Sequence, residues 1–204
     1  MKKILLILTV FLLAGLLQAQ TFRIGPSFGL SKQQDLSIGN VSGSDLSLGL
    51  DNDMHYGLTA KLDLHAINLT AHIFKGKLSG KESIAIMTNQ VDVEYEADLI
   101  SAGIGVELTL IPGPVNVYVA GDFLFTFSSN GKAKTSNAFG TIETTFDSGS
   151  DQGLGIGAGI DFKVLPLIDI DLTARYNMNN MFSKEDGEVS WNTIEVTATV
   201  LFPL

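Results

Sequence analysis

Gly153-Leu154-Gly155-Ile156-Gly157-Ala158-Gly159-Ile160-Asp161-Phe162 alternates a glycine or aspartate with an apolar side chain at every step. A period of two belongs to an extended strand with two unlike faces. A tilted strand needs about 9–11 residues to cross a bilayer, the length of this run. Four glycines on one face would only weaken a strand that met water there, but they make room where neighbouring side chains crowd a narrow interior. The run therefore predicts a membrane strand, apolar side to lipid and glycine side to a tight lumen.

Working outward, the same alternation recurs in segments near residues 22–30, 55–64, 67–73, 100–110, 115–127, 168–177 and 193–202. Phe22, Ile24, Phe28 and Leu30 oppose Arg23, Gly25, Ser27 and Gly29, for example, and Tyr56, Leu58, Ala60 and Leu62 oppose His55, Gly57, Thr59 and Lys61. With the opening run these make eight strands. An even number puts both ends of a barrel on one side of the membrane. The links alternate as well. Short turns at His65-Ala66-Ile67, Ile111-Pro112-Gly113-Pro114 and Leu165-Pro166-Leu167 are interleaved with long polar connections at 32–54, 79–94, 128–151 and 179–191. Short periplasmic turns and long outer loops are the asymmetry of outer-membrane barrels. Ile84, Ile86, Val91, Val93 and Tyr95 continue the alternation around Thr88-Asn89-Gln90, so some hairpins are expected to project beyond the membrane. The expected fold is all-β, an eight-stranded antiparallel up-and-down transmembrane β-barrel.

Alternation alone fits a soluble lipocalin-like barrel with its faces exchanged, so a soluble periplasmic barrel is the structural alternative. Aromatics near segment ends, at Phe22, Phe127, Phe162, Tyr176, Trp191 and Phe202, favour lipid outside, because interfacial girdles sit there. The polar face also carries both signs of charge. If Pro166 centres its turn, Lys163 lies opposite Asp169 and Asp161 opposite Asp171; a similar last hairpin brings Arg175 to Glu195 and leaves Lys61 near Asp63, His72 or Glu107. Together with Arg23 and Asp122, these side chains make the predicted lumenal polar network. A lumen of eight strands is just wide enough to be filled by side chains, so the network reads as a plug rather than a channel.

Lys2 and Lys3, the apolar stretch 4–17 and Ala19 read as a secretory signal over residues 1–19, ahead of a barrel domain at 20–204. Without those two lysines, 11 basic side chains face 22 acidic ones, a net charge of −11 that repels nucleic acid. The chain has no cysteine, hence no disulfide and no lipid-modified cysteine. Mean hydropathy is nonetheless +0.26, so contact with lipid must come through strands. Gly25-Pro26-Ser27-Phe28-Gly29 matches a nucleophile-elbow pattern but sits inside a strand with no helix after it. His55, His65 and His72 lack the spacing of a zinc site, and the Asp51-Asn52-Asp53 stretch lacks the ligand ladder of a calcium loop. No cofactor, no metal and no catalytic residue is expected.

On the leader, the eight alternating segments and the short-long rhythm of links, the chain resembles the small outer-membrane barrels of Gram-negative bacteria. It looks most like the outer-membrane-protein-A/X-type domain and the outer membrane protein beta-barrel domain families. The resemblance implies residence in the outer membrane, contact with its lipid, and insertion by the barrel-assembly machinery reading a C-terminal aromatic. Here that residue is Phe202, followed by Pro203 and Leu204. The expected role is structural or surface-binding, with any extracellular ligand held by residues 32–54, 79–94, 128–151 and 179–191. Passage of small or hydrophobic molecules, in the manner of a porin, and modification of lipid A are the alternatives.

Overall fold

The computed structural model describes residues 21–33, 36–41, 44–48, 52–64, 66–86, 89–137, 140–165, 167–184 and 191–204. The leader at 1–19 lies outside the described residues. Among those described, the strands are β1 (Phe22–Gln33), β2 (Leu36–Val41), β3 (Ser44–Leu48), β4 (Asn52–Leu64), β5 (Ile67–Ile86) and β6 (Asn89–Ile111). They continue with β7 (Val115–Asn137), β8 (Gly140–Phe146), β9 (Gly149–Leu165), β10 (Ile168–Met178) and β11 (Asn192–Pro203).

Eight of these close on themselves in the order β1-β4-β5-β6-β7-β9-β10-β11, with β1 and β11 pairing antiparallel to complete the ring. Closure removes the exposed edges that lipid could not satisfy. Pro26 has no N–H to give, and the β1–β11 pairing skips Gly25 and Pro26, then resumes in the same register at Ser27 opposite Thr199. In the β9–β10 hairpin, Lys163 stands opposite Asp169 and Asp161 opposite Asp171; Arg175 stands opposite Glu195 across β10 and β11.

Burial decides which face is which. Phe28, Leu58, Ile73, Ile104, Val106, Ile156 and Val196 are exposed, whereas Lys61, Glu107, Asp161 and Asp171 on the opposite face are no more than 2% exposed. A barrel stable in water would bury the first set and expose the second. The apolar face therefore looks out to lipid. The outward apolar row stops at Ile73 on β5 and Ile100 on β6, where the next outward residues are Lys75 and Asp98, marking the extracellular edge of the hydrocarbon belt. A few apolar side chains do point inward: Phe74, Leu78, Leu124 and Leu201 are buried on the lumenal side.

One long connection projects as the paired hairpin expected around residues 84–95, and two others form strands where loops were expected. Residues 36–48 hold the β2–β3 hairpin, and β5 and β6 stay paired from Ile67 opposite Leu108 out to Ile86 opposite Asn89. β7 runs on to Asn137 and turns back as β8, paired from Gly131–Phe146 to Asn137–Gly140. Ser- and Gly-rich composition read as loop, yet each segment gains a neighbour whose backbone it can bond, and pairing overrides weak intrinsic preference. The result is a four-stranded sheet, β5-β6-β7-β8, standing above the barrel.

Candidate functional site

Three buried cations brace the barrel from wall to wall. Nearest the termini, Arg23 on β1 donates to Asp161 on β9 at 2.6 Å, Asp169 on β10 at 2.9 Å and Asp63 on β4 at 2.7 Å. β1 is not a neighbour of β9 or β10, so these bonds cross the lumen. One layer up, Lys61 Nζ lies 2.8 Å from Glu107 Oε1 and 3.0 Å from Asp171 Oδ1, with Asn68 donating to the same glutamate at 3.2 Å. Tyr118 donates its hydroxyl hydrogen to Asp171 at 2.6 Å, and the Lys61 ammonium stands 4.5 Å from the centre of its ring. Higher still, Arg175 Nε donates to Asp122 Oδ2 at 2.9 Å. Glu195, its register partner, takes a hydrogen bond from Asn177.

Layer height follows from strand register, and reach follows from side-chain length. Lysine and arginine stems span a narrow lumen that aspartates alone would leave open. Room for those stems comes from the glycine face of β9: a methyl group on Gly159 would strike the Tyr118 hydroxyl, and one on Gly157 would meet Arg175 Cγ at 2.9 Å. Taking such charges out of water is costly, and only close pairing offsets the cost. The arrangement is a rigid core of charge-assisted bonds, with seven carboxylates, Asp63, Glu107, Asp122, Asp161, Asp169, Asp171 and Glu195, around Arg23, Lys61 and Arg175.

Most of the sequence-derived network thus lies in the lumen, with two differences. Lys163 is exposed at the periplasmic mouth, where it lines an open cleft of about 360 Å³ with Arg23, Asp63 and Asn116. It sits at the strand end, beside the turn, where water reaches a long side chain. His72 lies 4.0 Å from Asp122 and stacks on Phe74 at 4.8 Å, rather than approaching Lys61. Sequence reasoning left out Tyr118, Asn68 and His55, whose Nε2 lies 2.9 Å from Thr197 Oγ1. Inward parity marked all three; nothing in the alternation showed which charges they would meet. Ser27 of the elbow-like motif is fully buried between Thr59 and Thr199 hydroxyls at 2.7 and 2.8 Å, with no histidine among those partners. Among the described residues, no three His, Asp or Glu side chains gather as a metal-ligand set. Phe202 points outward, 42% exposed, opposite Ile24.

The projecting sheet carries a second pattern of charge in its register. Lys81, Glu94, Lys134 and Glu143 stand opposite one another in a single row across its four strands. Next to that row, Lys77 Nζ is 2.6 Å from Glu96 Oε1 and Lys132 Nζ 3.9 Å from Glu143 Oε1. The reverse face is apolar, with Leu78 and Ala97 buried and Tyr95 and Leu99 packed against them.

No curated protein sequence matches the chain. Among solved structures, a major outer membrane protein from Thermus thermophilus superposes with a TM-score of 0.52 at 9% identity, over 92% of this chain and all of that one. Neisserial surface protein A aligns at 0.49 and 15% identity over 92% and 100% of the two chains, and Ail of Yersinia pestis at 0.46 and 19% over 90% and 97%. The family profile described as outer membrane protein beta-barrel domain matches residues 7–202. Closed topology, inverted burial and this match agree: the chain belongs to the outer membrane protein beta-barrel domain family and resides in the outer membrane.

Proposed function

We propose that the chain is a non-enzymatic surface-interaction barrel, in which an ion-paired, plugged transmembrane part holds the β5-β6-β7-β8 sheet above the membrane for extracellular partners. The observation that carries this reading is the contrast in strand pairing: every barrel strand has two neighbours, whereas β8 pairs with β7 alone among the described strands. An edge strand is a template for an added strand, with backbone bonds giving affinity and alternate side chains giving selectivity. Glu143 on that edge favours a partner strand that is basic on the same face.

Two measurements test the proposal. In planar bilayers the purified barrel produces no discrete conductance steps; regular steps would instead favour passage of small solutes. A synthetic peptide alternating lysine and valine binds the protein in vesicles, its acidic counterpart does not, and Thr144→Pro in β8 abolishes binding. Equal binding of both peptides would overturn the edge reading. The same proposal has residues 1–19 removed on export and Phe202 read by the assembly machinery. N-terminal sequencing of outer-membrane protein starting at Gln20 supports the first, and loss of insertion in Phe202→Ser supports the second.

A further inference from the structure

The turn after β10 has two faces with opposite chemistry. Asn179 and Asn180 are buried over the upper end of the lumen. Asn179 Nδ2 donates to Thr193 Oγ1 at 3.3 Å, and Trp191 donates its backbone N–H to Asn180 Oδ1 at 3.2 Å. The next two residues turn the other way: Met181 is 52% and Phe182 55% exposed. This exposure is not that of a loose loop. Phe182 N donates to the Gln152 carbonyl at 3.0 Å, Gln152 N donates to Ser183 Oγ at 3.0 Å, and Ser183 Oγ donates to Asp151 Oδ1 at 2.9 Å. The Phe182 ring then lies flat on Phe123, 5.6 Å between centres and 21° between planes, while Phe123 meets Phe125 edge-on at 4.9 Å.

Phe123 and Phe125 belong to the outward row of β7, the row that faces lipid. An aromatic ring stacked on that row continues the surface the bilayer already covers, beside Leu154, above which the outward row of β9 turns polar at Gln152. Large apolar side chains in such a place are stable at the boundary between acyl chains and headgroups, and cost free energy in water. We propose that residues 179–184 are a membrane-seated strap: Met181 and Phe182 lodge among the outer-leaflet acyl chains just below the headgroups, and so hold Asn179 and Asn180 across the mouth of the lumen. The strap is independent of what the β5-β6-β7-β8 sheet binds.

The chain has no cysteine, so single spin labels can be placed on the otherwise unchanged protein. Nitroxides at Phe182→Cys, at Ile156→Cys in the lipid-facing row and at Ile142→Cys on β8 are compared in phosphatidylcholine vesicles by collision with oxygen and with a water-soluble nickel chelate. Ile156 and Ile142 are 57% and 70% exposed, so both controls are accessible to their own solvent. The expected result is a Phe182 label relaxed by oxygen and shielded from nickel, at a depth shallower than the Ile156 label. A Phe182 label as open to nickel as the Ile142 label would overturn the proposal, and so would one shielded from both agents, which would place it against protein. If Phe182→Cys does not insert, Met181→Cys takes the same readout with the same outcomes.

Discussion

Lys61 with Glu107 in the lumen and Lys77 with Glu96 on the projecting sheet are the same pair of residue types at nearly the same distance, 2.8 and 2.6 Å. Their surroundings separate them. The lumenal side chains are fully buried, and the sheet pair is about 60% exposed at each end. In the lumen, removing either partner strands a charge where water cannot reach it; on the sheet, water replaces the missing partner. Identical chemistry therefore supports structure in one region and a hydrated surface in the other.

The largest test of that contrast is Lys61→Met, which leaves Glu107 and Asp171 facing each other without a cation. It is expected to destabilise the barrel by about 3–5 kcal/mol in urea titration from vesicles and to erase heat-modifiable migration on gels. Gly159→Val comes next, because the added side chain meets Tyr118 and the Leu172 carbonyl oxygen; overpacking of this kind costs about 1–3 kcal/mol by the same titration. Smallest is Lys77→Ala, expected to leave the unfolding midpoint unchanged. Glu96 raises the Lys77 ammonium above the ordinary lysine value, so the pair is present at neutral pH and the lysine's share of it is lost as the pH climbs past that raised value. A midpoint shift from Lys77→Ala at pH 7 as large as that from Lys61→Met would break the comparison.

Much of the barrel was legible in the sequence because lipid outside and a polar lumen inside impose strict alternation, and short links leave little freedom of register. Lys163 opposite Asp169 and Asp161 opposite Asp171 are backbone pairings that follow from that register. The contacts across the lumen were not legible. Register names adjacent strands only, whereas Arg23 reaches from β1 to β9 and β10, and Arg175 passes over β9 to find Asp122 on β7. Residues 84–95 announced the β5–β6 extension by their β-branched alternation. Residues 36–48 and 140–146 did not announce theirs, because their strand state depends on the partner strand more than on their own Ser, Gly and Thr content.

Between Asp98 and Glu96, β7 carries one residue more than β6, and Asn130 there adopts φ 55°, a left-handed conformation asparagine tolerates, while its side chain donates to Asp98 at 3.0 Å. Below this bulge the even-numbered side chains of β7, such as Asp122 and Leu124, point inward; above it Lys132 and Lys134 point outward. A single extra residue acts as a phase shift, separating a stretch written for the barrel from one written for the surface. Each side can then drift or be redesigned in its own phase, and deleting that one residue would turn the lysines of the projecting sheet against its apolar back.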